Sequence, residues 1–141
     1  MGEGVHRLSV EHVSGDQFRI EVRDHWLLVD QPESDGGEDL GPTPTELFVA
    51  GLAACVGFFA RRYFRRHQLS SKGLRVETEF EFSEDRPSRV SSIEMRVILP
   101  PGFPEARLPA LRAVVQHCTV HNSIENKPDI RIGLVEGVAA A

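Results

Sequence analysis

Thr43-Pro44-Thr45-Glu46-Leu47-Phe48-Val49-Ala50-Gly51-Leu52-Ala53-Ala54-Cys55 runs on through Val56-Gly57-Phe58-Phe59-Ala60 to Arg61-Arg62-Tyr63-Phe64-Arg65-Arg66-His67, and this stretch decides the fold. It opens as a helix should. Thr43 is a good N-cap, Pro44 suits the first helical position, and Glu46 stands three residues after the cap, where it completes a capping box. The pattern predicts a helix to about His67, roughly 36 Å long at about 1.5 Å per residue. Leu47 to Phe59 is apolar nearly all round, and such a helix must be covered on most sides. Arg61, Arg62, Arg65, Arg66 and His67 complement the negative end of the helix dipole.

Upstream the reading is of strands. Phe18, Ile20 and Val22 alternate with Arg19, Glu21 and Arg23, a period of two that marks a half-buried strand. By the same alternation Arg19 and Arg23 are expected on one face. Ser14-Gly15-Asp16 predicts a hairpin turn back to Leu8–Val13, and Trp26–Val29 a third strand. Residues 32–43, rich in Pro, Gly and acid, read as a solvated loop. Downstream, Leu74–Phe82 and Val90–Leu99 are predicted to be strands joined by a turn at Asp85-Arg86-Pro87-Ser88. A second helix, with Pro109 in its first turn, is expected to end near His117. Cys118-Thr119-Val120-His121-Asn122-Ser123 either ends that helix or opens another. Ile130, Ile132 and Leu134 alternate with Arg131 and Gly133 and predict a final strand. The order βββ-α-ββ-α-β points to an α+β fold of two packed layers.

The 141 residues, 40% hydrophobic and 26% charged, suit a single globular domain spanning 1–141. A net charge of −5 offers no field for nucleic acid or an anionic membrane surface. Met1 to Gly15 is polar, so no secretory leader is expected. Leu47 to Ala60, broken by Gly51 and Gly57, is too short to span a bilayer. The expected location is the cytoplasm.

Two cysteines in such a chain do not make a disulfide framework, and there is no CxxC. Two readings stay open from the residues alone. Both thiols are inert and buried, as free cysteines commonly are, or they meet in space as a redox pair. Cys55 lies about three turns into its helix, too far for the dipole to activate it, so a cation or hydrogen-bond donor must come from elsewhere. Cys118 has His117 and His121 close in sequence. A thiolate that attacks a peroxide becomes a sulfenic acid, which a second thiol must capture before over-oxidation. Zinc held by Cys55, Cys118, His117 and His121 is disfavoured, because closed zinc sites show paired ligands and only the Cys118 side is clustered.

Gly41 to Cys55, with its proline-capped helix start, an acid, an apolar run and then cysteine, resembles the first cysteine motif of the OsmC/Ohr superfamily. Cys118-Thr119-Val120-His121-Asn122-Ser123 resembles the second. The resemblance covers nearly the whole chain. It implies an OsmC-like two-layer fold, an antiparallel sheet packed on a long central helix, in an intertwined homodimer. That would account for a helix apolar all round in so small a chain. It also implies a thiol-dependent peroxidase for organic hydroperoxides, with Cys55 as peroxidatic and Cys118 as resolving cysteine. The partners implied are a second copy, a small-molecule peroxide and a thiol reductant of unknown identity; no metal or organic cofactor is implied. The sequence departs from the family pattern twice. The usual acid position holds Thr45, with Glu46 one place later. The usual activating arginine of the first hairpin is replaced by Ser14-Gly15-Asp16, leaving Arg19 and Arg23 as nearby candidates. Glu46, Arg19, Arg23 and His121 are therefore supporting candidates. The competing reading is an OsmC-like domain without efficient peroxidase activity that binds a small apolar ligand at the dimer groove.

Overall fold

The computed structural model describes residues 4–138. Three strands, β1 (Ser9–Ser14), β2 (Gln17–Val22) and β3 (His25–Val29), form an antiparallel meander. Gly15, at φ 52°, takes the left-handed backbone that the first turn requires. Helix α1 (Pro44–Arg66) follows, then the hairpin β4 (Arg75–Phe82) and β5 (Val90–Ile98), and the short helices α2 (Leu108–Val115) and α3 (Thr119–Glu125). The fold is mixed α+β, with antiparallel sheets.

Thr43 caps α1 as the sequence dictates. Its Oγ1 accepts the Glu46 N–H at 3.0 Å, while Glu46 Oε1 accepts the Thr43 N–H at 2.8 Å. Val49, Leu52, Val56, Ala60, Tyr63 and Phe64 make up the buried stripe of α1. Two clusters share it. Ala60, Tyr63, Phe64 and Leu111 form one, with Phe103 stacked near Phe64 at a centroid distance of 5.2 Å. Leu52, Val56 and Cys118 form the other, covered by Val76 of β4 and by Ile93, Met95 and Val97 of β5. The register of the hairpin sets this up: Val76 pairs with Val97 and Phe80 with Ile93, so alternate residues share the face toward the helix.

Three expectations are corrected, and one open alternative is decided. The strand expected at Ile130–Leu134 does not form: among the described residues no strand pairs with it, and Ile132 is 87% and Leu134 96% exposed. The second helix ends at Val115, two residues short of His117, and Cys118, extended at ψ 157°, opens α3. Residues 32–43 are not simply a solvated loop. Asp30, 1% exposed, accepts N–H bonds from Gln31 (2.7 Å) and Leu40 (3.1 Å), and Gln17 Nε2 donates to Glu38 at 2.9 Å. A Cβ on Gly37 would run into the Gln31 carbonyl, so the strap closes only with glycine there. Burial opposes ionisation of Asp30, but the N–H groups of Gln31, Leu40 and Glu38 outweigh it and hold the carboxyl below its ordinary range. Finally, α1 is covered on one side within the chain, not on most sides: Phe48 and Phe58 remain exposed. By length and hydropathy the whole 23-residue helix would pass as membrane-crossing, which the shorter run Leu47–Ala60 did not suggest; its buried stripe nevertheless packs on protein.

The capping box gives a direct test. Thr43→Ala should lower stability by about 1 kcal/mol, read as a shift of the urea midpoint with an unchanged slope.

Candidate functional site

The two cysteines arrive from different elements. Cys55 sits on α1 beside the buried Val56, one residue off the central stripe, and is half-buried. Cys118 sits in the turn between α2 and α3 and is fully buried. The fold packs Cys55 against Cys118, with Val115 and Val120 around them. Both are free thiols.

Their surroundings differ. Burial pushes the Cys118 thiol up, and the adjacent Cys55 adds to this, while the N–H groups of His121 and Val120 oppose it without prevailing. The His121 N–H points at Cys118 Sγ at 3.4 Å, so the sulfur acts as the N-cap of α3. Cys118 is thus kept as a protonated thiol, sealed from solvent. Cys55 is the more accessible of the two thiols.

The supporting candidates fall in different places. His121 lies at the site through its backbone, and its ring Nε2 contacts Glu125 Oε1 at 3.2 Å. Glu46 is occupied with the helix cap, nine residues before Cys55 and so about 13 Å away along the axis. Arg19 pairs with Glu21 at 3.1 Å and lies 4.6 Å over the Trp26 ring. Arg23 lies outside β2, in the turn to β3, with φ 54°, so the expected alternation with Arg19 is broken. The β1–β2–β3 sheet makes no extensive contact with α1, so the element that carries Arg19 does not pack on the helix that carries Cys55. Among the described residues no three His, Cys, Asp or Glu side chains gather into a metal-binding group. The sequence reading overlooked Asp30; its only signal was an acid directly after a strand of apolar residues.

Comparisons with known proteins bear on this arrangement. The family model described as OsmC-like protein matches residues 36–133, which include both cysteines. No curated protein matches in sequence. Among solved structures, a proposed osmotic stress induced and detoxification response protein from Psychrobacter arcticus superposes with a TM-score of 0.77 at 18% identity, covering 86% of this chain and 90% of that one. An OsmC-like protein from Mycoplasma pneumoniae gives 0.74 at 14% identity, covering 89% and 91%. An organic hydroperoxide resistance protein from Legionella pneumophila gives 0.65 at 20% identity, covering 88% and 91%. At these identities the likeness shows a shared fold.

The unequal thiols set an order of reactivity. In the native protein iodoacetamide should label Cys55 first. Labelling of Cys118 should lag and should gain speed only above the ordinary thiol range of about 8.5, because its raised pKa leaves less thiolate at any lower pH. Peptide mapping over a pH series reads both rates; faster labelling of Cys118 at neutral pH would contradict this account.

Proposed function

The chain belongs to the OsmC-like protein family, and from that premise we propose that it is a thiol-dependent peroxidase of the cytoplasm acting on organic hydroperoxides. One observation carries the reading: a reachable Cys55 packed directly on a sealed Cys118. The Cys55 thiolate attacks one oxygen of the peroxide, the O–O bond breaks, and the other oxygen leaves as an alcohol after taking a proton. Cys55 is then a sulfenic acid. Cys118 gives up its proton and attacks that sulfur, water leaves, and a disulfide joins the pair. A dithiol reductant returns both to thiols. Aliphatic and aromatic neighbours of Cys55, among them Leu52 and Phe59, favour a peroxide with an organic group over hydrogen peroxide. The hydroperoxide resistance proteins among the structural relatives support the same class of chemistry.

The placement of Arg19 favours a second reading. Its guanidinium is occupied by Glu21 and Trp26, on a sheet that makes no extensive contact with α1, which suits a family member of low peroxidase activity. Turnover separates the two. After one equivalent of cumene hydroperoxide, mass spectrometry should find a Cys55–Cys118 disulfide. Cys118→Ser should leave oxidised Cys55, and Cys55→Ser should consume no peroxide. Undiminished consumption by Cys55→Ser would remove Cys55 from the leading role.

The same reading includes a homodimer. The chain exposes 11439 Å², against about 7,300 Å² for a compact monomer of its 15.7 kDa mass. Phe48 and Phe58 on α1, Trp26 on β3 and Ile132 and Leu134 on the tail contribute to that excess. A second copy covering these surfaces would bury more than about 2,000 Å², as obligate dimers do. Sedimentation should show a dimer at micromolar concentration; a stable monomer would refute it.

A further inference from the structure

A cavity of about 380 Å³ lies between α1, β5 and the α2–α3 pair. Neither Cys55 nor Cys118 lines it, although Val56, Met95 and Val115, which do, also belong to or pack on the cluster that contains Cys118. Its volume falls within the usual range of small-molecule sites, about 300–1,000 Å³. The walls are mostly aliphatic; no Phe, Tyr or Trp lines the cavity, and its ring face is the His121 imidazole alone.

Three polar residues line it: Arg112, Gln116 and His121. Arg112 and Gln116 are one helical turn apart and share a face. Both are exposed, whereas Val56 and Leu111 at the floor are each 4% exposed, so the polar side is the mouth. His121 Nε2 is already engaged by Glu125. Arg112 makes no ion pair among the described residues. An arginine near a helix C-terminus has a dipole role of its own; what distinguishes Arg112 is the aliphatic chamber opening beneath it.

We propose that this cavity is a binding site for an aliphatic monocarboxylate, separate from the peroxide site. The alkyl tail lies against Val56, Met95 and Val115. The planar carboxylate meets the planar fork of Arg112, with the Gln116 amide as a further donor. The ligand differs from a peroxide substrate both in place and in what selects it, a charged head in place of an O–O bond.

Calorimetry on the intact chain, without peroxide or reductant, tests this independently of the peroxidase reading. The probes are decanoate, decan-1-ol and decylammonium, below their micellar concentrations. Decanoate should bind about tenfold tighter than decan-1-ol, with decylammonium weakest and a negative heat-capacity change for decanoate. Arg112→Gln, an exposed change that leaves the core intact, should erase the preference for decanoate over the alcohol. Val115→Trp, which fills the chamber, should remove binding of both. Equal binding of decanoate and alcohol, a preference that survives Arg112→Gln, or no decanoate binding at all would overturn the proposal. Should Val115→Trp not fold, the Arg112→Gln comparison decides alone.

Discussion

Leu52 and Val56 pack on Cys118, and that contact ties the core of the protein to its chemistry. The two aliphatic side chains belong to the stripe that holds α1 against the β4–β5 hairpin. Cys118 belongs to the turn that holds α3 against α1. Cys55 follows α1 one position before Val56, so its place is set by packing rather than by a loop. Interiors pack at near-crystalline density, and a sulfur held this way has little freedom. The consequence is an asymmetric pair. One thiol is fixed on a rigid helix and reachable; the other is sealed, in a turn flanked by short helices that can move more readily than α1.

The electrostatics follow from that asymmetry. Cys118 has no carboxylate or guanidinium to set its ionisation; burial dominates, and two N–H groups from the first turn of α3 only moderate it. Burial disfavours a thiolate because charge in a low-dielectric setting has lost its water. A thiol kept protonated suits the later step better than the first, since it need ionise only when a sulfenic acid is already beside it. Cys55, on the accessible side, is where an incoming cation would matter. Among the described residues, Arg19 is held by Glu21 and Trp26, and the arginines of α1 follow Phe59 in sequence, with Arg62 over that ring at 4.6 Å.

Much of this was legible in the sequence. Thr43, Pro44 and Glu46 are local signals, and the helix they start runs almost to the residue expected, because capping and dipole effects act within a few positions. Strands β2 and β4 followed from period-two alternation, and β1 from the turn at Ser14-Gly15-Asp16, for the same reason. Where the reading failed, distant residues decide. The strap at 32–43 depends on Asp30 and Gln17 meeting Glu38, Leu40 and Gln31 across the chain. Ile130–Leu134 carries a true strand pattern, but a pattern names a face and not a partner. The candidate site was legible as two motifs, while their contact required the fold. The shared face expected of Arg19 and Arg23 does not hold, since alternation stops where β2 ends at Val22.

The unpaired tail and the outlying sheet pose one physical problem between them. A three-stranded sheet with Val10, Val13 and Trp26 more than half exposed has no core of its own, and small sheets need a packed face to be stable. An extended segment bearing Ile130, Ile132 and Leu134 needs an edge to satisfy its backbone. Within one chain neither is met. A second copy would meet both at once, and it would also change what surrounds Cys55: a sheet that stands away from its own α1 is free to lie over another's, bringing β2 and Arg19 with it. The ion pair with Glu21 would not prevent this. At 44% and 51% side-chain exposure it is a surface contact, worth little in water, and a guanidinium can exchange it for a thiolate that is desolvated on binding. The proposed second copy would then account both for the lack of a cation contact to Cys55 among the described residues and for the excess of exposed apolar surface.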